Sequence, residues 1–126
     1  MHRFKVAILV SVLFWPIAGQ GVTPKKFMVE TTRDLVTLCS VTDKDLNASE
    51  AIHFCHGFVI GAYHYYVAST APPGVRDFVC LPEPKPSRNQ AIAEFVVWVQ
   101  DNPQYLDKEA VNTLFRYLEK KFPCTE

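Results

Sequence analysis

The chain has 126 residues, 48% of them apolar and 13% aromatic. That is enough for one domain with a modest core, too little for two, and too apolar for a disordered segment. Its 13 basic and 13 acidic side chains cancel, and taking Arg3 and Lys5 away with a leader leaves 11 against 13, a formal charge of about −2, which argues against a nucleic-acid binder because that needs a basic patch.

His2, Arg3 and Lys5 precede an apolar run from Val6 to Ala18 that only Ser11 and Pro16 interrupt. Ala18-Gly19-Gln20-Gly21 then offers small residues for cleavage. This is the pattern of a secretory signal peptide. The run is shorter than the roughly 20 apolar residues that a membrane span needs. Residues 1–21 are therefore expected to be removed, after Gln20 or Gly21. Residues 22–126 would form a single domain outside the cytoplasm, with no membrane attachment after cleavage. No cysteine follows the run to carry a lipid anchor.

Gly21 to Lys26 reads as a short polar lead. Thr31 or Thr32 can cap a first helix, with Asp34 favourable in its opening turn. Leu35, Leu38 and Cys39 share a face, and Ser40-Val41-Thr42-Asp43 ends the helix. In Asn47-Ala48-Ser49-Glu50, Asn47 caps and Glu50 reaches back, the pattern of a capping box. The same residues are a formal Asn-x-Ser glycosylation acceptor, but the cap is the expected reading.

A long central helix follows, to about Ser69. Ala51, Cys55, Phe58, Val59, Ala62 and Tyr66 form one apolar stripe at helical spacing. His53, Gly57, Ile60, His64 and Ala68 lie opposite, with Gly61 at their edge. A helix that is apolar or small on both faces is normally central to its domain. Each mid-helix glycine costs about 1 kcal/mol against alanine, so Gly57 and Gly61 need a reason. Close approach of another helix within the domain is the expectation, and a dimer seam is the alternative.

Thr70-Ala71-Pro72-Pro73-Gly74 breaks the helix. The stretch to Ser87 reads as a loop, pinned around Phe78, Val79, Cys80 and Leu81 and stiffened by Pro82, Pro84 and Pro86. As a loop on a rigid scaffold it is the stretch most available to a partner. Ser87 caps a third helix with Ile92, Phe95, Val96 and Val99 inward, ended by Asn102-Pro103. Asp107 is expected to cap a fourth, with Val111, Leu114, Phe115, Leu118 and Phe122 inward, until Pro123 stops it. No stretch alternates as a strand should. The predicted class is all-α, a small disulfide-stapled bundle of four main helices.

Cys39, Cys55, Cys80 and Cys124 are an even set behind a leader, which implies two disulfides in an oxidising compartment. Three pairings are open in principle. Cys39–Cys55 suits two neighbouring antiparallel helices, and Cys80–Cys124 would then tie the loop to the C-terminus. An oxidised Cys55 is no nucleophile for His56 beside it. His53 and His56 could approach one metal ion, but His64 lies about 16 Å along the helix from His53 and no third ligand is placed. No phosphate loop or hydrolase motif is present. The residues indicate neither an enzyme nor a cofactor or metal site. Tyr63, Tyr65, Tyr66, Trp98 and Tyr105 read first as core and rim packing, and second as anchors at an interface.

A series of short signatures runs through the chain in order: Leu35-x-x-x-Cys39; Cys55-x-Gly57-Phe58-x-x-Gly61; Cys80-x-Pro82; Gln90 opening a helix; Asn102-Pro103 and Ala110; and Phe122-Pro123-Cys124. Together, from about Leu35 to Cys124, they resemble the Rap/Tai immunity proteins of type VI secretion systems. The resemblance implies an all-helical, periplasmic, disulfide-bonded homodimer. It implies a non-catalytic inhibitor whose partner is a cognate effector toxin, a cell-wall amidase, blocked by occlusion of its active cleft. Two departures bear on the partner rather than the fold. His64 stands where the family often has an acidic residue, and Glu83-Pro84-Lys85-Pro86 replaces the usual Gly-Val segment. A different function class that the histidines allow is a small periplasmic chaperone or stress-response protein, activated by acid.

Overall fold

The computed structural model describes residues 21–125; the leader expected from the sequence lies almost wholly outside them. The architecture is the expected all-α one. Helices α1 (Thr32–Cys39), α2 (Ala48–Thr70), α3 (Arg88–Asp101) and α4 (Ala110–Lys121) are joined by loops, with 3-10 turns at Pro24–Met28 and Pro103–Tyr105. The described residues contain no strand, only one isolated antiparallel bridge between Val79 and Pro123.

The short α1 is the hub. It lies against α2, α3, α4 and the first 3-10 turn. Thr31 caps it in a true capping box: the Asp34 amide donates to Thr31 Oγ1 at 3.3 Å, and the Thr31 amide donates to Asp34 Oδ2 at 3.1 Å. Lys26 closes on Asp34 at 2.9 Å. That contact makes the supposed polar lead an ordered turn, with Pro24 at its start. Burial works to raise the Asp34 pKa, but the Lys26 ammonium and the Thr31 bonds outweigh it and hold the carboxyl below its ordinary value. The start of α1 is also tied to the approach to α4. The Thr32 amide and hydroxyl both donate to the Lys108 carbonyl, at 2.7 and 3.0 Å.

The core gathers Leu35, Leu38 and Cys39 of α1 with Ala51, Cys55, Val59 and Tyr66 of α2. The other side is Ile92, Phe95, Val96 and Val99 of α3 with Ala110, Leu114, Tyr117 and Leu118 of α4. Burying a side chain such as Leu35 or Phe95 is worth about 1.5–3 kcal/mol over leaving it in water. A few such residues from each helix therefore decide how the helices face. The expected stripes of α2 and α3 are the ones buried, with Phe58 and Ala62 half-buried at the edge.

Four local expectations are corrected. Asn47 does occupy the N-cap of α2, but in a left-handed conformation with φ 60° and with no side-chain cap bond, so the capping box is not made. Asp107 does not cap α4, whose N-cap is Glu109, again without a side-chain bond. The Asp107 carboxylate instead meets Arg33 at 3.0 Å. The inward face of α4 is rotated: Val111 is 44% exposed while Ala110, Thr113 and Tyr117 are buried. A helix starting at Ala110 rather than near Asp107 carries its first contact on Ala110. The fourth concerns Gly57 and Gly61. Both are exposed, and a Cβ added at either would meet no atom within 4 Å apart from the helix's own local backbone. No helix of the domain lies close against them, because α1 and α3 pack on the opposite, Cys55 side.

Two disulfides close the structure, Cys39–Cys55 and Cys80–Cys124, with Cα separations of 5.2 and 4.9 Å and no free cysteine. Their sequence separations of 16 and 44 residues correspond to roughly 3 and roughly 4 kcal/mol in a chain-entropy model. Their environments differ. Cys55 and Cys39 are 0% and 8% exposed, whereas Cys80 is on the surface. A mild reductant should therefore open Cys80–Cys124 first. Alkylation and peptide mapping along a reduction series will check this, with Cys39 and Cys55 labelled only as the core opens.

Candidate functional site

Two surfaces are available to a partner. The first is the outer face of α2. After Glu50 the helix has no Asp, Glu, Lys or Arg through Thr70, a span of about 30 Å. His53, Gly57, Gly61, His64, Tyr65 and Ala68 are all exposed on it, Tyr65 by 77%. Phe54 joins them at 38% exposure and is held edge-on by Phe27 at 5.4 Å and stacked on Phe58 at 6.5 Å. A long helical face without charge is costly to leave in water and is characteristic of surfaces that meet another chain.

His56 lies toward the other edge, half-buried beside Ile60. Burial lowers its pKa, and the positive charge of Arg88 and then that of His53 lower it further. A histidine whose folded pKa lies below the unfolded one favours the fold in its neutral form. Its contribution is present above the ordinary value of 6.5 and is lost as the pH falls below it.

The second surface is the loop from Ala71 to Ser87. It leaves α2 through a closed last turn, where the hydroxyls of Ser69 and Thr70 donate to the Tyr66 carbonyl at 2.9 and 3.1 Å. Pro72-Pro73-Gly74 turns the chain, with the Val75 amide donating to the Pro72 carbonyl at 3.3 Å and Gly74 at φ +85°, a conformation that favours glycine. The chain then returns to the body. The amides of Phe78 and Val79 both donate to the Tyr66 hydroxyl at 2.9 Å, and the Cys80 amide donates to the Phe122 carbonyl at 2.8 Å. The Val79–Pro123 bridge and the Cys80–Cys124 disulfide complete the attachment. Val79 is buried, while Val75 and Phe78 remain 48% and 41% exposed. Pro82, Glu83, Pro84 and Lys85 are exposed beyond them.

Between α3 and α4 runs a groove of about 400 Å³ lined by Ala93, Val97, Trp98 and Tyr117. The Glu94–Lys121 ion pair, at 3.4 Å, stands at its edge. Burial and the Glu94 carboxylate push the Tyr117 phenol up to about 12. Trp98 stacks on Tyr105 at 5.1 Å and contacts Tyr117 at 5.7 Å. Of the aromatic residues singled out in the sequence, Trp98 and Tyr105 are thus packing residues, and Tyr65 is the exposed one. Among the described residues no three His, Cys, Asp or Glu side chains are grouped to hold a metal ion, and no helix is long and apolar enough to cross a membrane.

The sequence signatures fall at structural joints. Gly57 and Gly61 belong to the outer face of α2, and Phe58 packs at the edge of the core beside the buried Cys55. Pro82 follows the Cys80 attachment. The Gln90 amide takes the Ser87 cap at 3.2 Å, and its side chain donates to Glu94 at 3.1 Å. Pro103 starts the second 3-10 turn, and Ala110, 2% exposed, starts α4. Phe122 and Pro123 receive the loop strand. Sequence reasoning missed the role of Tyr66. Its one signal was a tyrosine at a core position of the stripe, where a phenylalanine would pack as well.

A family model described as Rap1a immunity proteins matches residues 31–124. No curated protein and no solved structure matches the chain.

The Arg88–His56 coupling gives a local test of this geometry. Replacing Arg88 with Gln should raise the His56 pKa, read from its imidazole resonances in an NMR pH titration. A value that did not move would remove Arg88 as a cause.

Proposed function

The chain belongs to the Rap1a immunity protein family, and from that premise we propose that it is a periplasmic protein which binds a peptidoglycan amidase toxin of a type VI secretion system and keeps substrate out of its cleft. The family match over residues 31–124 carries the immunity role, and with it a non-catalytic one. The two disulfides favour action outside the cytoplasm, since such bonds persist in oxidising compartments. The leader read from the sequence supplies the route there, as a signal peptide.

The mechanism we propose is occlusion. A loop fixed at both ends offers a cleft a surface of settled shape, so that little ordering entropy is lost on binding. The segment around Val75 and Phe78 has that property, and its exposed apolar side chains supply buried area. Replacement of the family's usual Gly-Val segment by Glu83-Pro84-Lys85-Pro86 then marks where the choice of toxin is made.

The outer face of α2 serves self-association in this reading. A two-fold interface brings each residue against the same patch of the other copy, so charges near its axis meet their like. The uncharged face of α2 avoids that repulsion, and bare Gly57 and Gly61 let two helix backbones approach. Replacing Gly61 with Leu should convert a dimer to monomers in sedimentation analysis and leave the helical circular dichroism intact. A Leu variant that unfolded as a monomer would return the glycines to a role inside the domain.

The functional reading is tested with the mature protein and a candidate peptidoglycan amidase toxin. Equimolar protein should abolish peptidoglycan cleavage and co-elute with the enzyme in gel filtration. Undiminished cleavage and separate elution would sink it.

A further inference from the structure

Tyr66 is 6% exposed and sits among Phe78, Phe115 and Tyr63, with ring centroids 4.8, 5.3 and 6.1 Å away. For that packing a phenylalanine would suffice. The hydroxyl does something separate. A phenol oxygen has two acceptor sites and one proton to give, and here all three face the loop. The amides of Phe78 and Val79 fill the acceptor sites at 2.9 Å. The proton has Asp77 Oδ1 and the Val79 carbonyl to choose from, each at 3.4 Å. One side-chain atom therefore stitches the returning limb of the loop to α2, at the point between exposed Phe78 and buried Val79. Without it, two successive backbone donors lose their acceptor, one of them in a buried position, which is costly.

On the near side the Phe78 ring also rests edge-on against Phe115 of α4, at 6.1 Å, and the backbone attachments to the C-terminus lie on the far side of that point. The Cys80–Cys124 disulfide, the Cys80 amide bond to Phe122 and the Val79–Pro123 bridge hold residues 79 and 80 to the C-terminus of the chain. The Phe78 amide and the Asp77 carboxylate meet the body through the Tyr66 hydroxyl. We infer that the Tyr66 hydroxyl is the positioning group of the partner-binding loop: it sets the Val75–Phe78 limb in its binding shape without itself touching the partner. This rests on the reading that the loop enters the toxin's cleft. When only a fraction of molecules holds the competent shape, the apparent affinity falls by that fraction.

The test is Tyr66→Phe, which keeps the ring and removes the oxygen, beside Tyr63→Phe as the control for a neighbouring phenol. Amide hydrogen exchange is measured residue by residue on the full mature chain. In Tyr66→Phe the Phe78 and Val79 amides should exchange about tenfold faster, the scale of one lost hydrogen bond. The core amides of Leu38 and Val99 should keep their rates, and Tyr63→Phe should change none of these. Against the same candidate amidase, Tyr66→Phe should bind several-fold to tenfold more weakly, with inhibition restored at higher concentration. Unchanged exchange at Phe78 and Val79 would overturn the inference. So would a uniform rise across all helices, which would make the hydroxyl a general stabiliser. Local loosening with undiminished affinity would overturn the positioning role, with the immunity reading intact. A wild-type protein that fails to inhibit, by contrast, removes the immunity reading and the loop's partner together, whatever the exchange data show.

Discussion

The Cys39–Cys55 bond holds the end of the shortest helix against the first half of the longest. An eight-residue helix has little stability of its own, because nucleation is costly and only a few backbone bonds repay it. Here α1 is fixed at both ends: the Thr31–Asp34 box and Lys26 hold its start, and the disulfide holds its last residue. So secured, it can act as the post on which α2, α3 and α4 pack. Leu35 and Leu38, both 0% exposed, are the contact. The Thr32 bonds to Lys108 extend the same post to the entry of α4, which is why that helix begins where it does and turns Ala110 inward.

That arrangement uses one side of α2 and leaves the other bare. The inner side carries Ala51, Cys55, Val59 and Tyr66; the outer side carries small residues, histidines and exposed aromatic rings with no formal charge. Most surface helices pay for solubility with lysine and glutamate, and α4 does so with Lys120, Lys121 and Glu119. The contrast within one small domain sets α2 apart as the helix with a long uncharged outer face.

The loop after α2 follows a different logic. Its prolines limit the shapes it can take, but they do not aim it. Aim comes from fixed points far apart in sequence: Tyr66 on α2 and Phe122, Pro123 and Cys124 at the chain's end. The proposed occlusion of a toxin's cleft would draw on this rigidity.

Local patterns put the first cap at Thr31 or Thr32 and favoured the Cys39–Cys55 and Cys80–Cys124 pairing without deciding either; they were enough for the number and order of the helices, the Ser87 cap, and the buried stripes of α2 and α3. Those are properties of spacing along one chain segment, where 3.6-residue periodicity and capping chemistry act within a few residues. The family was legible for the same reason, since its signatures lie at fixed places along the chain. What the tertiary structure alone decided involves neighbours distant in sequence. Asp107 could cap by its type, yet Arg33, 74 residues away, takes it. The glycines of α2 could have met another helix of the domain, but α1 and α3 already share the opposite side. Tyr66 reads as one more apolar residue until the loop returns and brings two backbone amides to its oxygen. Periodicity says which face of a helix is apolar; only the packed whole says which apolar face is covered.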